Sequence, residues 1–164
     1  MEIKTLGADQ ISTALALAER CRSGGQAETA ESICTDILEV DPDNTRAIEL
    51  LLWARVDLLG EGRHGGVERA QEALALVKSD FDRRYLEGVI CERQARFLIG
   101  KRGRHSSRVA YDWFRHAMDA FEEASRIEPG RPEASLRWNA CLRSIERDRH
   151  CAPAIDEDED HGIE

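Results

Sequence analysis

The chain has 164 residues, 41% apolar and 34% charged, enough to bury one real core and sized for a single domain or a short array. Its formal charge is −9, but six acids and no Lys or Arg fall in residues 151–164, so residues 1–150 hold 23 cations against 26 acids, a net −3. A body so nearly balanced argues against non-specific binding to nucleic acid or to an anionic membrane.

Only 4 Pro and 12 Gly interrupt a composition rich in Ala, Leu, Glu and Arg, which predicts an all-α protein. The first twenty residues lack a cationic start followed by an apolar core and a small-residue cleavage site, and no run reaches ~18 apolar residues, so a cytoplasmic location is expected. Seven helices are predicted, at about 8–23, 26–40, 45–59, 66–78, 81–99, 107–128 and 132–149.

The first, ISTALALAERCRS, is amphipathic and stops at Gly24-Gly25. In the second, Ala30, Cys34 and Ile37 step by four and three, the spacing that stacks side chains on one helix face, and Pro42 follows five residues later. The third opens with Ala47 at the fifth position past that proline and Leu51 at the ninth. The fourth repeats the pattern in Ala70, Leu74 and Val77, with Asp82 in place of proline. The sixth repeats it in Ala117, Phe121 and Ala124, followed by Pro129, and the seventh carries Ala134 and Trp138 at the matching offsets. Gly130 suits the end of the sixth helix and Pro132 the first turn of the seventh.

Helix, Gly-containing turn, helix, acidic or Pro turn is thus a recurring unit, and residues 8–149 resemble the tetratricopeptide repeat family, whose period is about 34 residues. Ala30, Ala70 and Ala117 match its small residue at the helix crossing, Phe121 its aromatic position, and Pro42 and Pro129 its terminal proline. The first helices lack the family's Trp, Leu-Gly and Tyr signature in clean form, and Cys34 and Leu74 replace the aromatic. The resemblance implies a right-handed superhelical stack of about three repeats in residues 1–150, closed by the unpaired seventh helix as a cap. Arg137, Arg143, Arg147 and Arg149 are expected on the cap's polar outer surface. Pro42 and Pro129 stand further apart than two periods, and the excess is placed in the turns GEGRHGG (60–66) and GKRGRHSS (100–107).

Catalytic and metal chemistry find no constellation. The glycines of 60–66 and Gly100-Lys101 lack phosphate-loop spacing, and His64, His105, His116, His150 and His161 never pair with Cys or Glu at ligand spacing. Glu31, Glu122 and Glu123 lie where helix charges normally face solvent. Five cysteines in odd number, with no close pair, are read as reduced thiols, four of them within helical patterns. No enzyme activity and no cofactor are expected.

Repeat stacks bind in the groove lined by first helices, and the resemblance places Arg46, Glu49 and Trp53 there, with Ser135 and Asn139 from the cap. Trp53 fits either a groove anchor or ordinary core. Turns within pairs should share one edge, which gathers Arg20, Arg22, Arg63, His64, Lys101, Arg102, Arg104, His105 and Arg108, with Arg147, Arg149 and His150 ending there. The opposite edge collects Asp36, Glu39, Asp41, Asp43, Asp80, Asp82 and Glu128. Helix C-terminal dipoles explain some of these cations, but not four within KRGRHSSR on what reads as an inserted loop. The tail 151–164 reads either as a solvating, disordered segment or as an internal competitor that folds back through residues 156–160. The expectation is an interaction adaptor for a protein or peptide partner, acidic if the basic edge is used, without nucleic acid or membrane; the alternative is a self-assembly module.

Overall fold

A computed structural model describes residues 3–61 and 65–153. Among them are seven α-helices and no strand: α1 (Ile11–Ser23, preceded by a 3-10 turn, Ala8–Gln10), α2 (Ala27–Val40), α3 (Thr45–Leu59), α4 (Gly66–Leu74), α5 (Asp80–Gly100), α6 (Arg104–Ile127) and α7 (Glu133–Arg147). The acidic residues 156–160, with Arg63 and His64, lie outside the described residues.

Local chemistry sets the boundaries. After α1, Gly25 takes φ 76°, and the amides of Gly25 and Gln26 return to the carbonyls of Arg22 and Cys21 at 3.0 and 2.8 Å, the paired bonds of a left-handed helix stop. Before α3, Asn44 Oδ1 accepts the Ala47 amide at 3.0 Å and its Nδ2 donates to Asp41, so the segment around Pro42 is a turn and a cap together. Ser79 plays the same part for α5, accepting the Asp82 amide. Gly130 does not cap α6: Glu128 holds the C-cap position, and Pro132 is the N-cap of α7.

Each helix packs on the next in sequence, as connections this short require, and α3 touches both α1 and α5. The stepped residues lie where helices meet: Ala30, Cys34, Ile37, Ala47, Ala70, Ala117, Phe121, Ala124 and Ala134 are all inaccessible to solvent. Phe121 of α6 lies so close over Gly88 of α5 that a Cβ at Gly88 would stand 2.6 Å from its ring.

The excess chain between Pro42 and Pro129 is not held in an inserted 100–107 loop. Helix α5 has 21 residues and α6 has 24, and only Lys101, Arg102 and Gly103 separate them. A buried stripe of Ser107, Ala110, Phe114, Ala117, Phe121 and Ala124 runs the length of α6, and burial of that stripe draws Arg104, His105 and Arg108 into the first turns of the helix. Conversely, α4 ends at Leu74, and Val77 lies in the connection beyond it.

Side-chain bonds stitch the connections into two edges. On one, Lys78 Nζ of the α4–α5 connection donates to Asp43 of the α2–α3 connection at 2.8 Å, and Arg131 of the α6–α7 connection donates to Asp82 in the first turn of α5 at 3.2 Å. On the other, Asp57 near the end of α3 accepts from Arg22 of α1 and Arg93 of α5, and Ser107 Oγ at the start of α6 donates to Asp148 just past α7 at 2.9 Å.

Candidate functional site

Between α3 and α5 lies a cleft of about 400 Å³. Helix α3 gives it Thr45, Ile48, Glu49 and Trp53, a single face by their spacing; α5 gives Asp82, Tyr85 and Leu86. The α4–α5 connection closes one side with Leu76, Val77, Lys78 and Ser79, and Arg131 enters from the connection before α7. Apolar walls with a few charges at the mouth make a surface suited to an aliphatic or aromatic side chain carried on a polar backbone.

The walls are braced. Tyr85 stacks on Phe81 with ring centroids 5.9 Å apart and leans on Phe121, while Arg131 lies 3.7 Å from the Phe81 ring. Trp53 packs against the core and also lines the cleft. Two guanidiniums approach its ring, Arg22 at 5.1 Å and Arg137 at 5.7 Å, each tied to a carboxylate, Asp57 and Glu92.

Arg137 corrects the expectation of a solvated cap surface. It sits between Trp53, Tyr85 and Glu92, with Nε donating to the Tyr85 hydroxyl at 2.9 Å and Nη1 to Glu92 at 2.8 Å. Burial works against its charge, but the bonds to Glu92 and Tyr85 outweigh it and hold the guanidinium more firmly protonated than usual. The signal was available in the sequence, for Arg137 lies three residues past Ala134 and four before Cys141, on the helix face those two bury.

Of the other groove residues, Arg46 is exposed and bonds to Glu19 and to Glu49, so these charges largely satisfy one another at the cleft mouth. Asn139 and Ser135 do not join them. They flank a separate depression on α6 and α7 with Glu122, Ser125 and Trp138, where Ser135 and Ser125 share a hydrogen bond. Half a turn or more separates them from Arg137 on α7, which is why only Arg137 meets Trp53. Leu76, Val77 and Arg131 come from connections, which a rule based on first helices cannot reach.

Glu31 is a second correction. It is 8% exposed rather than solvated, and it accepts from Arg55 at 2.8 Å and from Arg69, linking α2, α3 and α4. All five cysteines are free; burial above all pushes Cys34, Cys91 and Cys151 up to about 11 and Cys141 up to about 12. Among the described residues no group of three or more His, Cys, Asp or Glu is placed to hold a metal ion, and no helix is long and apolar enough to cross a membrane.

On the edge of the α5–α6 turn, Lys101, Arg102, Arg104, His105 and Arg108 are without an ion pair among the described residues, though Lys101 lies over the Phe97 ring at 4.5 Å. Arg102 holds φ 51°, a left-handed conformation that ends α5 abruptly and turns the chain toward α6. Across the molecule the acidic edge is partly neutralised, Asp43 by Lys78, Asp80 by Arg83, and Asp82 and Glu128 by Arg131. No family model, curated protein or solved structure matches the chain.

Proposed function

We propose that the protein is a non-catalytic adaptor of tetratricopeptide-like architecture, which holds an extended segment of a partner protein in the cleft between α3 and α5. The observation that carries this reading is the cleft itself: about 400 Å³, walled by Ile48, Trp53, Val77, Tyr85 and Leu86 and rimmed by Lys78, Arg131, Glu49 and Asp82. Contact of α3 with both α1 and α5, the packing that a stack of helix pairs requires, supports this reading. A braced tryptophan offers large contact area at little entropic cost. The charges at the mouth favour a partner whose apolar anchor is flanked by residues of mixed sign.

Selection of peptides from a random displayed library against the whole protein tests the reading. Selected peptides are expected to carry one aromatic or aliphatic anchor and to lose at least ~10-fold in affinity for Trp53→Ala. Because Trp53 also packs on the core, Leu76→Asp at the lip, where Leu76 is 45% exposed, supplies a second variant that spares folding and should weaken the same peptides. Peptides indifferent to both variants contradict the assignment.

A further inference from the structure

We infer that the partner segment carries a phosphoserine or phosphothreonine beside its apolar anchor, and that Arg22 and Arg93 receive the phosphate, with Arg96 and Arg137 adding charge next to them. The inference rests on the cleft reading and supplies the chemistry of the residue that neighbours the anchor.

The helix faces that wall the cleft continue past it into a charged cluster. Asp57 follows Trp53 by four residues on α3, and Glu92, Arg93 and Arg96 follow Tyr85 by seven, eight and eleven on α5. Arg22 arrives from α1 and Arg137 from α7. Arg22 Nε meets one Asp57 oxygen at 2.9 Å and Arg93 Nη2 meets the other at 3.3 Å. Arg96 and Arg137 meet the two oxygens of Glu92, each at 2.8 Å. Trp53 joins the two groups, because the guanidinium carbons of Arg22 and Arg137 stand 5.1 and 5.7 Å from its ring centroid.

Four guanidiniums thus surround two carboxylates. In every other group of ion pairs among the described residues the acids equal or outnumber the cations; Arg46 faces Glu19 and Glu49, Arg84 faces Glu87 and Glu123, and Arg131 faces Asp82, Glu128 and Glu133. Two excess positive charges match a phosphate monoester, about −2 at neutral pH, better than they match one carboxylate. Arg22 and Arg93 are 31% and 42% exposed, and each commits one nitrogen to Asp57, so most of each five-donor fork is open to phosphate oxygens. Anchoring matters as much as charge. A fork already fixed by a carboxylate, and for Arg22 also by the Trp53 ring, gives up little rotamer freedom when an anion arrives. Trp53 and Asp57 are one helical turn apart, about 5 Å, and an extended peptide advances about 3.3 Å per residue. The phosphorylated residue therefore sits within about three positions of the anchor.

The test screens three degenerate peptide libraries on the immobilised full-length protein, alike except for a fixed central phosphoserine, serine or glutamate. The best-retained phosphopeptide is then synthesised in all three forms. At 150 mM salt the phosphoserine form is expected to bind at least ~10-fold more tightly than the other two, and the ratio should shrink toward 0.5 M salt. Arg93→Gln should bring the ratio down to about 2-fold or less, whereas Asp57→Asn, which frees both guanidiniums, should raise it. A ratio read on one variant with all three forms does not depend on how that variant folds or binds the anchor. Leu76→Asp should weaken every form and leave the ratio intact. A native ratio near one, a ratio that survives Arg93→Gln or fails to rise with Asp57→Asn, or a glutamate form as tight as the phosphoserine form overturns the inference and leaves the cleft reading standing. An intact ratio with no response to Leu76→Asp contradicts the cleft instead, and no retention of any library overturns both.

Discussion

A carboxylate taken out of water is costly unless cations and hydrogen-bond donors surround it, and this chain does so at two places. Glu31 is clasped by Arg55 and Arg69, and Glu92, 5% exposed, by Arg96 and Arg137. Because Arg137 also braces Trp53 and Tyr85, the Glu92 pair ties the last helix to the wall of the cleft. A double-mutant cycle on Glu92→Ala and Arg137→Ala is predicted to give a coupling of about 1–3 kcal/mol in chemical denaturation, the range of a half-buried pair. Coupling near zero would mean that Arg96 alone suffices for Glu92. The thiols make a second prediction at this scale. With values near 11, Cys34, Cys91 and Cys151 hold only about a thousandth of their population as thiolate at pH 8, and Cys141, near 12, about a ten-thousandth. A disulfide reagent should therefore modify these four far more slowly in the native protein than in urea, and faster as pH rises toward 11. Native rates equal to unfolded ones would contradict their burial. Neither carboxylate was legible in advance, since a Glu in a helix usually faces water; Arg96 lies only four residues from Glu92, but Arg55, Arg69 and Arg137 arrive from 24 to 45 residues away.

Helices meet here through small residues, and those were the readable part of the fold. Ala at the crossing positions of α2, α4 and α6 lets neighbouring backbones approach, and the four-and-three spacing marks the buried face without reference to any partner. Gly88 could not be read in the same way, because its reason for being glycine is the Phe121 ring on another helix. Phe121→Ala is predicted to cost about 3–5 kcal/mol. Gly88→Val should cost about 1–3 kcal/mol through overpacking, despite valine's better helix propensity. Denaturant midpoints decide both, and losses well under 1 kcal/mol would mean that the α5–α6 contact is loose. The start of α6 was misjudged for a related reason: its buried stripe begins at the polar Ser107, set among Arg, His and Ser, so the segment reads as loop until the donation to Asp148 is seen.

For the molecule as a whole, alternation of packed helices puts connectors on two edges, which charge then distinguishes. The acidic edge is partly closed by Lys78, Arg83 and Arg131, whereas the cluster at the α5–α6 turn is open among the described residues. The cleft opens between α3 and α5 and was only half legible. Trp53 and Glu49 follow from the repeat-like pattern, but the wall from the α4–α5 connection depends on α4 being short, which its sequence conceals by continuing the apolar spacing to Val77.

The most direct measurement is methyl-detected NMR of the full-length protein titrated with a library-selected peptide. The account predicts that the methyls of Ile48, Leu76, Val77 and Leu86 shift together with the Trp53 indole, saturating along one binding curve. Shifts confined to the α6–α7 depression around Trp138, or to the α5–α6 turn, with those four methyls unmoved, would contradict it.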